Sequence, residues 1–214
     1  MEIIHTLFDF ILHIDKHLAE IISQYGTLTY LILFLIIFGE TGFVITPFLP
    51  GDSLLFAAGA LCANEATGMN IWLLCILLII AAISGNIINY QVGRWIGPKA
   101  FDTDKWFLKK KNLDRTQEFF EKYGMQAIVF SRFMPIIRTF APFVAGVGKM
   151  NYKNFSLFNV LGGFLWVVLF LFAGYLFGNV PAVKNNFTIV ILAIIFVSLI
   201  PVFIALLKGR KGRV

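Results

Sequence analysis

The sequence predicts an all-α polytopic membrane protein, an inverted repeat with two opposed re-entrant hairpins plus transmembrane helices. Three observations point there: apolar runs of membrane length, apolar segments broken by proline and glycine, and four charged side chains inside those broken segments. The 214 residues are 58% hydrophobic and 14% charged, with a mean hydropathy of +0.81. A soluble domain of this size is about 45–50% apolar and about 25% charged, so the excess exceeds what one small core can hide. The runs Leu157–Leu176 and Phe187–Leu207 approach the ~20 residues that cross hydrocarbon. Ile71–Ala82 reaches that length with the polar stretch to Val92. One membrane domain over 1–214 follows, with no room for a separate soluble one.

Residues 1–25 form an amphipathic N-terminal helix in this reading, since Ile4, Leu7, Phe8, Ile11, Leu12, Ile14 and Leu18 recur at helical spacing. Surface anchoring and packing on the bundle both stay open for it, as does whether it spans or lies on the membrane. It carries Asp9, Asp15 and Glu20 and lacks a basic start before a clean apolar run, so it is expected to be retained and not cleaved as a signal peptide. Residues 28–63 are apolar but interrupted by Gly39-Glu40-Thr41-Gly42 and by Pro47-Phe48-Leu49-Pro50-Gly51-Asp52-Ser53, which makes them re-entrant hairpin 1. Residues 70–97 are a transmembrane helix, and 98–124 a cytoplasmic basic loop. Residues 125–149, with Pro135, Pro142, Gly146 and Gly148, are re-entrant hairpin 2. Residues 152–178 and 187–207 are transmembrane helices, and 208–214 a basic tail.

Orientation follows from charge. Of the 18 basic residues, eight lie between Arg94 and Lys122, and the tail adds Lys208, Arg210, Lys211 and Arg213. Such clusters beside membrane segments mark the cytoplasmic side, which puts the C-terminus there. The Lys109–Lys111 cluster touches anionic headgroups or simply signals topology, and the flanking spans argue against nucleic acid as its partner. Leu61–Asn70 has no basic residue, and Gly178–Asn186 has only Lys184, so both face outward. An even number of crossings must separate the basic loop from the tail, yet three apolar segments lie between them. Met125–Gly148 is therefore the one that enters and returns, and Leu31–Ala63 enters from the opposite side. A faint repeat accompanies this. Phe56-Ala57-Ala58-Gly59 precedes Tyr90-Gln91-Val92-Gly93, and Phe143-Val144-Ala145-Gly146 precedes Tyr175-Leu176-Phe177-Gly178, at similar separations. Paired interrupted segments in two halves of a transporter point to its binding site.

Hairpin 1 contains Glu40 and Asp52, and hairpin 2 contains Arg132 and Arg138. A charge at a helix centre costs ~2.5–3.5 kcal/mol on insertion scales, so four unpaired ones are too costly to be incidental. Arginine is a permanent cation with a planar fork suited to phosphate or carboxylate. Arg132 and Arg138, separated by Pro135, are the candidates to converge on one anion. Glu40 and Asp52 are the groups that can take up a proton, for coupling or gating. A salt-bridge cluster that only glues two hairpin tips is the structural alternative. Pro50-Gly51-Asp52-Ser53 reads as a helix start with Asp52 or Ser53 as N-cap. Ser53, Asn86, Asn89, Tyr90 and Arg94 line a polar path or hydrogen-bond between helices. Pro47, Pro50, Gly51, Pro135 and Pro142 break the hairpins. Cys62 and Cys75 lack metal or disulfide spacing and read as packing residues, so no metal and no cofactor is expected. The only histidines are His5, His13 and His17, away from the arginines, which disfavours hydrolase or protease chemistry.

These residues carry a resemblance. Glu40-Thr41-Gly42, Pro47 with Pro50-Gly51-Asp52-Ser53-Leu54-Leu55-Phe56, Ala58-Gly59, and Tyr90 with Gly93-Arg94 come first. Ser131-Arg132-Phe133-Met134-Pro135, Arg138-Thr139-Phe140-Ala141-Pro142-Phe143-Val144-Ala145-Gly146, Asn159, Gly162, Trp166 and Gly174-Tyr175 follow. In these the chain resembles the DedA family of bacterial inner-membrane proteins over nearly its whole length. The resemblance implies the re-entrant fold shared with eukaryotic lipid scramblases. It also implies a flippase moving polyprenyl (undecaprenyl) phosphate or a related anionic lipid, with protons and membrane lipids as partners and a homo-oligomer left open. Proton-motive-force dependence and a role in the cell envelope come with it. The family's functional charges map onto Glu40, Asp52, Arg132 and Arg138. Many relatives carry Asp where this chain has Asn86, which argues against a three-carboxylate coupling scheme. A proton-coupled small-ion or drug antiporter would use the same carboxylates and is the alternative.

Overall fold

The computed structural model describes residues 20, 24–43, 51–97, 110–184, 186, 189, 190 and 192–194. Pro47, Pro50, the tail and nearly all of the segments 1–25 and 187–207 lie outside them. Among the described residues every regular element is helical. The order is α1 (Leu28–Gly42), α2 (Gly51–Cys62), α3 (Ile71–Ile96), α4 (Lys110–Tyr123), α5 (Ala127–Ser131), α6 (Pro135–Val147), α7 (Tyr152–Phe177) and the short α8 (Pro181–Lys184).

The two long helices α3 and α7 are the framework, and both are apolar and long enough to cross a bilayer. Each starts on an asparagine cap: Asn70 accepts from the amides of Trp72 and Leu73 at 2.9 and 3.1 Å, and Asn151 from that of Lys153 at 2.9 Å. These bonds satisfy amides that the first turn leaves orphaned. Trp72 and Trp95, at the two ends of α3, are exposed. At 1.5 Å per residue they stand about 35 Å apart, the spacing of the two interfaces of a bilayer, where tryptophan gathers. Between them Leu73, Ile76, Ile80, Ile88 and Val92 face outward, whereas Asn86 and Asn89 face inward. Apolar outside and polar inside is the inverse of a water-soluble surface.

The other helices pack on this framework crosswise. α1 packs on α3 and α5 on α7, while α2 packs on α7 and α6 on α3. Small residues allow the crossings. Gly59 meets the backbone of Leu171 and Tyr175, and Gly174 meets the Phe56 carbonyl. Gly93 meets the Phe143 carbonyl, and Gly146 meets the Tyr90 carbonyl and the Arg94 amide. At all four a Cβ would overlap main-chain atoms, so backbones touch where side chains would hold them apart. The glycine opposed to Gly59 is thus Gly174. Gly178 sits against Ala60 instead, so the faint repeat is one helical turn out of register at that end.

Two sequence expectations need correction. The basic loop over 98–124 contains α4, a 14-residue amphipathic helix. Its apolar residues Phe119 and Phe120 pack against the α6 side of the core. The charge run drew attention away from that spacing. Asp52 and Ser53 lie inside the first turn of α2, which already includes Gly51, and so are not at its cap. Pro135 opens α6 after an extended Met134, as the steric conflict between proline and its predecessor requires. Pro142 sits within α6 and withholds the amide that would bond to the Arg138 carbonyl.

Candidate functional site

Arg132 lies in the break between α5 and α6, and Arg138 one turn into α6. Glu40 lies near the end of α1, and Asp52 at the start of α2. Their four side chains come together in the centre of the bundle, each residue at most 5% exposed. All four charged residues singled out in the sequence are thus neighbours in the structure.

Arg138 is the hub of a triad. Its Nη2 is bonded to Glu40 Oε1, and its Nη1 donates to Asp52 Oδ1 at 2.8 Å. Glu40 Oε1 also accepts from the Gly51 amide at 3.3 Å. Gly51 is needed for that contact, because a Cβ there would fall on the Glu40 carboxylate. The α2 N-terminus and Arg138 therefore meet one carboxylate from two sides, in keeping with the preference of anions for helix N-termini.

Arg132 is placed differently. Its Nη2 donates to Asn159 Oδ1 at 2.6 Å and faces the carbonyls of Ala82 and Asn159 at 3.3 and 3.4 Å, all neutral acceptors. Its Nε and Nη1 are buried and have no hydrogen-bond partner among the described residues. Asn159 is fixed in turn, accepting from Asn86 Nδ2 at 3.0 Å and donating to the Ile83 carbonyl at 3.0 Å. Gly162 and Gly163 make room for the guanidinium: a Cβ on either would come within 3.3 Å of it.

The remaining candidates separate. Asn89 is a clamp, donating to the Thr41 carbonyl at 3.3 Å and the Thr139 carbonyl at 2.8 Å. It so ties together the residues adjacent to Glu40 and Arg138. Tyr90 donates to the Met150 carbonyl at 2.6 Å and stacks on Phe155. Ser53 is buried in α2 with its hydroxyl unpartnered among the described residues. Arg94 is exposed at the far end of α3, away from the cluster. Asn86 and Asn89 thus bond between helices, and Tyr90 bonds to the connection between α6 and α7. Asn89→Leu should cost about 2 kcal/mol by removing two buried hydrogen bonds, read as a lowered unfolding midpoint in detergent. An unchanged midpoint would mean the clamp carries no weight.

Asn159 and Trp166 stand in the DedA-like motifs, and the structure gives each a partner in the cluster. Trp166 Nε1 donates to Asp52 Oδ1 at 2.8 Å. Asn159, Gly162, Gly163 and Trp166 fall at i, i+3, i+4 and i+7, one stripe of an otherwise apolar helix. That polar and small stripe was the available signal.

A helical membrane protein with four charges drawn from two broken segments into one buried cluster is the class that fold and site define. The VTT domain model matches residues 49–176. The chain is 50% identical over 213 residues to Protein DedA of Escherichia coli, covering 99% of this chain and 97% of that one. It is 42% identical over 182 residues to an uncharacterized membrane protein of Mycobacterium tuberculosis, covering 85% and 80% of the two chains. It is 37% identical over 161 residues to inner membrane protein YqjA of Escherichia coli, covering 74% and 71%. The chain belongs to the VTT-domain family, the DedA family of membrane proteins. No solved structure matches it significantly.

Proposed function

We propose that this protein is a transporter of the bacterial inner membrane, a carrier and not an enzyme. Its cargo is a lipid with an anionic head, polyprenyl (undecaprenyl) phosphate foremost, and its transport draws on the proton motive force. The observation that carries this reading is Arg132: a buried permanent cation with Nε and Nη1 unpartnered among the described residues. These two charged N–H donors suit the oxygens of an anionic phosphate group. The lipid tail stays in hydrocarbon while the head crosses through the polar centre. Family membership, and the inner-membrane designation in the name of the YqjA relative, support the location.

In this reading α1–α2 and α5–α6 are re-entrant hairpins of an inverted repeat, with the C-terminus cytoplasmic. Their crosswise packing on α3 and α7 supports it. Broken backbone at bilayer depth is stable only within protein or along a wet cavity, and such hairpin tips are where carriers bind.

Charge balance links the head to a proton. Two carboxylates and two guanidiniums cancel when all are ionised. An arriving phosphate adds negative charge to the cluster, and one proton on a carboxylate removes one unit. Glu40 supplies the acceptor, since its Oε2 is buried without a partner among the described residues. Glu40→Gln keeps the shape and removes the acid. Its transport in proteoliposomes should lose its response to an imposed pH gradient; a wild-type rate with wild-type pH dependence would contradict the coupling. The same free oxygen favours a second reading, a proton-coupled small-ion or drug antiporter. Binding of labelled polyprenyl phosphate to the purified protein separates the two.

A further inference from the structure

Trp166 touches every charged part of the cluster except Glu40. It is fully buried on α7. Its indole N–H donates to Asp52 Oδ1 at 2.8 Å, the same oxygen that accepts from Arg138 Nη1 at 2.8 Å. Its ring lies 5.0 Å from Arg138 Cζ and 6.0 Å from Arg132 Cζ, within the range at which an aromatic face steadies a cation. Two like charges thus share one ring, and one carboxylate oxygen is bonded to the ring's only donor.

Both guanidiniums lie against that ring, and Arg138 is the one bonded to Asp52. Arg138 offers it Nη1, while the Nε and Nη1 of Arg132 are unclaimed among the described residues. The indole N–H holds Oδ1 in its place beside Arg138. Without it the carboxylate is freer to turn toward Arg132 and take a donor that a phosphate would use. A phenyl ring would keep an aromatic face beside the cations, with less bulk, but would lack the N–H that holds Asp52.

We infer that Trp166 is a positioning residue of the anion site, holding Asp52 on Arg138 so that Arg132 is left for the incoming headgroup. This rests on the anion-carrier reading given above.

The test is equilibrium binding of farnesyl monophosphate, a short prenyl phosphate, to the full chain in detergent. Trp166→Phe should bind about tenfold more weakly, the scale of one hydrogen bond to a charged group. The loss should vanish in an Asp52→Asn background, where no carboxylate competes, so that Trp166→Phe adds nothing to Asp52→Asn. A loss of the same size in both backgrounds means a packing role and overturns the inference, as does wild-type affinity in Trp166→Phe. A second measurement leaves the site intact: with Trp72, Trp95 and Trp106 changed to Phe, emission from Trp166 should shift saturably on titration. It should not shift when Arg132→Gln is added. Binding without any change in that emission overturns the inference while leaving the carrier reading in place. No binding to wild type removes both.

Discussion

Arg138→Met should destabilise the protein by about 3–5 kcal/mol, the cost of stranding buried charges by removing their partner. Arg132→Met should cost no more than about 1 kcal/mol, because it removes a cation bonded only to neutral oxygens and relieves its desolvation. The two arginines lie six residues apart in one broken segment, but only Arg138 is bonded to Glu40 and Asp52. Denaturation in detergent, followed by circular dichroism, measures both. Adding Glu40→Gln and Asp52→Asn to Arg138→Met should recover much of the loss, since the stranded charges then disappear. Equal losses for the two single variants would mean that the guanidiniums are not divided between structure and ligand.

Gly174→Leu should prevent folding altogether. A Cβ at Gly174 falls on the Phe56 carbonyl, and no rotamer change can move a main-chain oxygen. The α2–α7 contact would have to open along its length, taking Asp52 away from Trp166. Gly39→Ala is the matched control, because among the described residues its new methyl meets the Phe43 ring, at 3.8 Å or beyond. That variant should fold, with stability at or above wild type given the low helix propensity of glycine. Expression and monodispersity in detergent separate the cases; a well-folded Gly174→Leu would contradict the close helix approach.

Much of this molecule was legible in the chain because the bilayer limits the options so severely. Apolar runs of membrane length, read beside the basic clusters, pointed to the two long helices α3 and α7. Charges inside apolar segments identified Glu40, Asp52, Arg132 and Arg138, since so few explanations tolerate them at that depth. How those four divide was not legible. Two carboxylates and two arginines allow several pairings, and only the crossing of α2 and α6 onto opposite long helices brings Asp52 and Glu40 both to Arg138. The roles of Asn86, Asn89 and Tyr90 depended on what faced them across 40 to 75 residues of chain. Trp166 escaped because an indole in an apolar helix looks like core until its N–H is seen on a carboxylate. The α4 helix escaped because its lysines outweighed its two phenylalanines in a reading made by charge.

The central claim is that Arg132 receives an anionic headgroup. The direct measurement is polyprenyl-phosphate translocation in proteoliposomes, comparing wild type with Arg132→Gln and with Glu40→Gln at two imposed pH gradients. Gradient-dependent transport is expected of wild type, none above empty liposomes of folded Arg132→Gln, and gradient-insensitive transport of Glu40→Gln. Wild-type transport by folded Arg132→Gln would contradict it.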